Sequence, residues 1–143
     1  MAPVRLTIRV SPESSVATYN GCSPTNTHSS CLTFAPPSDA KTLEQMISST
    51  ERGVLVTRLW YIREVDPYEK ILTGMTRDGT FLVEDGKVRG GVKNFRFNES
   101  LIHMLSNVEA MSIPVRASGE ESFDMVVPAM KVKEFNFTEV TKF

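Results

Sequence analysis

The stretch VLVTRLWYIREV, residues 54–65, decides how the rest of the chain is read. It is dense in β-branched and aromatic residues, the types that suit a pleated, half-buried surface. Alternation along a strand puts Val54, Val56, Arg58, Trp60 and Ile62 on one face. Arg58 interrupts that otherwise apolar row, so its guanidinium is expected to meet a partner or solvent. Trp60-Tyr61 reads in the first place as half core and half surface. An exposed Trp beside Arg58 would instead mark an interface, where Trp, Tyr and Arg are over-represented. Asp66-Pro67 ends the strand, because proline disfavours helical geometry before it and removes a backbone donor.

Downstream, the pattern predicts a meander. Residues 71–77 read as a strand, Asp78-Gly79 as a hairpin turn and residues 80–84 as the return strand. Asp85-Gly86 is a second turn, leading into a strand over 87–92. Asp-Gly supplies the positive φ angles that two-residue hairpin turns need. A further strand is expected over 93–97. Asn98 then suits the cap of a helix whose buried stripe would be Leu101, Ile102, Leu105 and Val108. Residues 109–115 and 126–137 read as strands separated by a polar loop over 116–122.

Upstream, Thr42 and Gln45 have the spacing of a capping box, in which hydroxyl and amide each satisfy an orphan backbone N–H. Leu43, Met46 and Ile47 follow at helical spacing, with Gly53 as the expected stop of a helix near 42–50. Residues 4–10 form one plausible strand. Residues 11–30 are dominated by Ser, Thr, Asn and Pro and read as a long loop or irregular arm. The expected fold is mainly β (α+β): an antiparallel β-rich domain with two short helices, and no internal repeat.

Composition excludes several classes. The 143 residues suit one domain, and 16 basic against 17 acidic side chains leave a net charge of -1. That balance gives no electrostatic footprint for nucleic acid. No run approaches the roughly 20 apolar residues of a membrane helix, and residues 1–10 alternate too strictly for a secretory leader. No membrane partner is therefore expected, and a cytoplasmic location is. Cys22 and Cys31 then read as free thiols, with a local disulfide open if the chain is exported.

A search for catalytic chemistry ends without a candidate set. There is no HExxH or HExxxH motif and no G-x-S-x-G elbow. His28 beside Cys22 and Cys31 falls short of the four ligands zinc prefers. Glu99 and His103 are four apart and could pair on a helix face, which reads as a surface contact. Asp78 and Asp85 belong to turns, Ser118-Gly119 to a loop, and Gly90-Gly91 to a bulge or bend rather than a phosphate site. Glu120, Glu121 and Asp124 read as a solvated acidic loop. No catalytic, cofactor-binding or metal residue is assigned.

The wording of the sequence is more specific. TERGVLVTRLWYIR (50–63) followed by Asp66-Pro67, LTGMTRDGTFLVEDGKV (72–88), GVKNFRFNES (91–100), NVEAM (107–111) and VPAMKVKEFNF (127–137) fall in order. Together they resemble the C-terminal domain of the TldD/PmbA metallopeptidases over residues 39–143, with residues 1–38 a poorly matched, largely irregular arm. The resemblance implies a two-domain, dimeric, peptide-degrading protein. In the active subunit, two histidines of an HExxxH helix in the larger N-terminal part and a cysteine of the C-terminal domain hold zinc. It also implies that peptide substrate binds as an added strand. This chain departs from the plan, since it has no HExxxH segment and no cysteine between Met111 and Val127. The expectation is a C-terminal domain or fragment of a zinc metallopeptidase without its own metal motif and inactive alone. Its partner would be the N-terminal metallopeptidase domain or a homologous subunit. The alternative is a free-standing non-catalytic module that pairs with a full-length family member. Either way, an apolar docking surface should lie exposed.

Overall fold

A computed structural model describes residues 5–8, 38–118 and 124–141, with backbone alone at 5–8, 116–118 and 124–125. The described strands are β1 (Arg5–Ile8), β2 (Arg52–Asp66), β3 (Ile71–Glu84), β4 (Lys87–Gly91), β5 (Phe95–Ser100), β6 (Val108–Met111), β7 (Val115–Ser118), β8 (Asp124–Val127), β9 (Met130–Val132) and β10 (Phe137–Val140). The two helices, α1 (Leu43–Ser48) and α2 (Leu101–Ser106), are short. The strand-rich, mainly antiparallel fold is the expected one.

The main sheet runs in the order β10-β5-β3-β2-β1-β9-β6, with β4 on β3 beside β5; β7 and β8 form a separate hairpin. The expected strand at residues 4–10 falls on β1. It lies inside the sheet, parallel to β2 and antiparallel to β9.

β2 is the spine. Its first half, from Gly53 to Val56, has strand partners on both sides, β1 and β3. Val54, Leu55 and Val56 are accordingly buried. From Arg58 to Asp66 only β3 pairs with it among the described residues. The predicted row of Val54, Val56, Arg58, Trp60 and Ile62 does not survive this change. The register slips between Val56 and Arg58, and Leu59 joins Val54 and Val56 against Phe97 and Phe135 in the core. Arg58 and Trp60 gather elsewhere, with Arg77.

That slip also corrects the meander. β3 does not turn back at Asp78-Gly79 but continues through them, and the pair forms a bulge with φ 60° and 144°. A bulge needs positive φ as much as a hairpin turn does, so the dipeptide alone does not separate the two. The bulge is pinned by Thr57, whose hydroxyl donates to Gly79 O at 3.0 Å. Thr80 braces it on the other side, donating to Thr76 Oγ1 at 2.8 Å. The β2–β3 connection is instead residues 67–70, started by Asp66 Oδ1 accepting from the N–H groups of Tyr68 and Glu69. Asp85-Gly86, with φ 53° and 73°, is a true hairpin turn between β3 and β4. The expected irregularity at Gly90-Gly91 is a register shift between β3 and β4 beside Gly90.

The capping box of α1 forms as read: Gln45 N–H donates to Thr42 Oγ1 at 3.2 Å, and Thr42 N–H to Gln45 Oε1 at 2.8 Å. Met46 is fully buried, but Gly53 is a strand residue and not the helix stop, which is Ser49. Lys131, on β9, is buried and donates its Nζ to Ser49 O and Oγ, both at 3.0 Å, tying the end of α1 to the sheet.

The C-terminal elements shift from expectation. Asn98 is not a helix cap; it sits within β5, opposite Thr73. Ser100 takes the cap position without a side-chain cap bond, its hydroxyl donating to Glu69 O at 2.8 Å. The expected stripe of α2 is reversed: Leu101, Ile102 and Leu105 are exposed, and Met104 packs on the core. The strand expected over 126–137 is broken into the end of β8, β9 and the start of β10, with Glu134 at φ 60° in between. Phe135 and Phe137 stack on Phe97 and Phe95 with ring centroids about 5 Å apart, closing the core.

Candidate interaction site

The residues that sequence reasoning weighed for chemistry scatter. Glu99 and His103 do meet, His103 Nδ1 lying 2.8 Å from Glu99 Oε1. The contact lies at the surface on one side only: His103 is about half exposed, whereas Glu99 is only 4% exposed. Its other oxygen accepts from the Asn136 N–H at 2.6 Å, so the carboxylate ties β5 and α2 to the segment before β10. A buried acceptor with two donors is fully accounted for as a structural clamp. Asp85 pairs with Arg89 at 3.1 Å beside its turn. Ser118, Asp124, Glu120, Glu121, Cys22, Cys31 and His28 lie outside the residues whose side chains are described.

Among the described residues no group of three His, Cys, Asp or Glu converges as a metal site. Their donor set does not fit the zinc that the resemblance implies, and no hydrolytic step is derived through them. Buried polar side chains are satisfied throughout the described residues. Thr76, Thr80 and Asn94 form one closed network, with both hydroxyls at Asn94 Oδ1 and Phe95 N–H on Thr76 Oγ1.

What the structure does assemble is a surface. The outer half of β2 lacks a second strand partner among the described residues, so a row of backbone donors and acceptors faces away from β3. Arg58 and Arg77 are directly opposite each other on β2 and β3, and each guanidinium carbon lies 4.8 Å from the Trp60 ring centroid. Like charges opposite each other repel. Asp78, projected from the bulge, offsets this with an oxygen 2.7 Å from Arg58 and another 3.7 Å from Arg77. Farther along, Tyr61 takes φ 54° in a second bulge, and Arg63 covers its ring at 4.5 Å.

Beyond this edge the surface turns apolar. Val65 and Tyr68 are exposed at the β2–β3 turn, Tyr68 by 92%. The turn abuts α2, since Leu101 N–H donates to Lys70 O at 3.0 Å. That contact brings the exposed Leu101, Ile102 and Leu105 alongside. Sequence reasoning reads Trp60-Tyr61 first as half core and half surface, and Trp60 is half-buried with Arg58 over its ring; it expects an apolar docking surface as well. It missed Arg77 and Asp78 because they were assigned to the end of a strand and a turn. It missed α2 because helical spacing identifies an apolar stripe but not what covers it.

Against this geometry stand the comparisons with known proteins. Residues 13–139 match the model of the PmbA/TldA metallopeptidase C-terminal domain. Two solved structures share the fold: TldE from Thermococcus kodakarensis, at 22% identity and a TM-score of 0.58, covered over 69% of this chain; and a putative modulator of a DNA gyrase from Thermotoga maritima, at 16% identity and a TM-score of 0.60, covered over 73%. The chain spans 22% of the former's length and 23% of the latter's. No functionally curated protein matches the sequence. No helix among the described residues is long and apolar enough to cross a membrane.

Proposed function

Because the chain belongs to the family of PmbA/TldA metallopeptidase C-terminal domains, we infer that it serves a cytoplasmic, peptide-cleaving zinc enzyme as a non-catalytic domain. It docks against the larger, metal-bearing N-terminal part or a homologous subunit. It also offers the outer edge of β2 to an extended peptide. Any zinc would be held by that partner, where it would supply the hydrolytic chemistry. The residues of this chain contribute docking, alignment of the peptide and exclusion of solvent.

The observation that carries this reading is the set of large apolar side chains left exposed on α2 and at the end of β2. Leu101, Ile102, Leu105, Val65 and Tyr68 are exposed, while the buried polar side chains among the described residues are satisfied. Large apolar groups gathered in one place indicate a covered surface. The edge beside them has the backbone groups needed for strand addition, in which main-chain hydrogen bonds give affinity and side chains give selectivity.

The test is reconstitution. The chain is mixed with the N-terminal, HExxxH-bearing part of a family enzyme, and complex formation and peptide turnover are followed. A stoichiometric complex that Leu101→Lys combined with Leu105→Lys abolishes is the expected result. A chain that stays monomeric, binds little hydrophobic dye and ignores the N-terminal part would overturn the reading.

A further inference from the structure

One strand of the main sheet comes from outside the unit that surrounds it. We propose that the slot between β2 and β9 is a strand-accepting site, and that residues 5–8 of a second copy of this chain can fill it in place of the chain's own β1. The slot is separate from the docking surface inferred above and does not rest on it.

Three observations converge. First, the walls of the slot are fastened to each other without β1. Ser49, just ahead of β2, accepts from Lys131 Nζ of β9 through both its carbonyl and its hydroxyl oxygen, each at 3.0 Å. Phe135, just after β9, packs with Val54 and Val56 of β2 and with Phe97. These contacts hold the walls on either side of a gap one strand wide, about 10 Å. Second, the gap offers hydrogen bonds on both sides. Residues 5–8 run parallel to β2 from Gly53 to Val56 and antiparallel to β9 from Met130 to Val132. Main-chain bonds give an inserted strand its affinity, and here two ladders supply them. Third, the filler lies ahead of the unit that builds the walls. The family match starts at residue 13 and takes in β2 and β9 but not β1.

The tether does not confine β1 to its own slot. The Lys41 N–H donates to Met111 O at 2.9 Å, which fixes the chain to its own body again. Residues 9–40 therefore join β1 to that body. Fully extended, such a connector reaches about 100 Å, against a radius of gyration of about 15 Å for a domain of this length. The strand pairing is the same within one chain and between two, so concentration decides which forms. A tether of this kind holds β1 at an effective concentration on the order of a millimolar. The monomer prevails below that, and exchange grows towards it. A second copy is favoured over an unrelated strand because residues 5–8 are the segment already seated in this register.

The full chain is unfolded in urea, refolded at about 10 µM and at about 1 mM, and followed by sedimentation. The dimer should rise from about one per cent to a major share between the two. Thr7→Pro, which removes a backbone donor from within β1, should abolish this dimer. Leu101→Lys combined with Leu105→Lys should leave it in place. Single-cysteine variants locate the contact, using Ile8→Cys and Met130→Cys in a Cys22→Ser, Cys31→Ser background. These positions are register partners, with Cα atoms about 5 Å apart, which a disulfide can bridge. Refolded together at the higher concentration and oxidised, the two variants should give a linked pair. The chain carrying both cysteines should link within itself at the lower concentration. If it does so while the mixture gives no linked pair, the exchange is overturned. If it links in neither way, β1 does not occupy the slot and the proposal falls with it. A dimer kept by Thr7→Pro and lost with the two α2 lysines would also overturn it, assigning the association to α2.

Discussion

The two halves of β2 are built from the same kinds of residue and have opposite fates. Val54, Leu55 and Val56 lie between β1 and β3 and are buried. Tyr61, Ile62 and Val65, no less apolar, have β3 alone as a strand partner among the described residues and are exposed. Composition does not separate the halves; the number of neighbouring strands does. A strand flanked on both sides and buried contributes to stability through the apolar surface it removes from water. A strand paired on one side keeps its backbone groups available and is normally blunted by charge and bulges. The outer half of β2 has both, with arginines at positions 58 and 63 and register shifts at Thr57 and Tyr61.

The contrast can be broken most decisively at Val56. Val56→Ala should cost about 2–3 kcal/mol, read as a lowered urea midpoint, because the side chain is fully buried. If it cost no more than a surface change, the inner half would not be the core. Gly74→Ala sharpens the boundary between the halves. An added Cβ would lie 2.6 Å from Phe97 Cζ and 3.1 Å from Trp60 O, and Phe97 is buried. A cost of about 1–2 kcal/mol is expected. Gly90→Ala, where a Cβ meets nothing within 4 Å, should change stability by less than about 0.5 kcal/mol. Leu101→Lys and Leu105→Lys should each stay within about 0.5 kcal/mol while reducing hydrophobic-dye binding and self-association. Strong destabilisation by these lysines would mean that α2 is packed rather than docking-ready. The smallest effect belongs to Ile62→Ala, for which an unchanged midpoint is expected; a loss comparable to Val56→Ala would erase the distinction between the halves.

The sequence was most informative where one local rule had a single structural outcome. Thr42 and Gln45 specify a capping box because their spacing satisfies two defined N–H groups, and the bonds form. Asp85-Gly86 made the predicted turn because β4 was ready to pair with β3. Asp78-Gly79 presented the same two letters and became a bulge, because β2 extends far enough to hold β3 in register on both sides of it. That length is a tertiary property, invisible in the dipeptide. The α2 stripe failed for a related reason. Periodicity places Leu101, Ile102 and Leu105 together but cannot say whether this chain or another covers them. The site was legible in part: Trp60 and Arg58 stood out as interface types, whereas Arg77 and Asp78 needed the slip at Thr57 to join them.

The four residues of β1 have a consequence for the order of assembly. The strands from β2 to β5 pair mostly with sequence neighbours, and such contacts close early. Among the described strands, β9 and β6 join that group through β1, because β2 and β9 are not neighbours in the sheet. The sheet therefore consists of two separately pairable portions until a segment near the start of the chain lies between a strand from the middle and one from near the end. Chain closure over those separations is slow on entropic grounds. Completion of the sheet should be the late, rate-limiting event of folding, and β1 the element whose loss divides the sheet between β2 and β9.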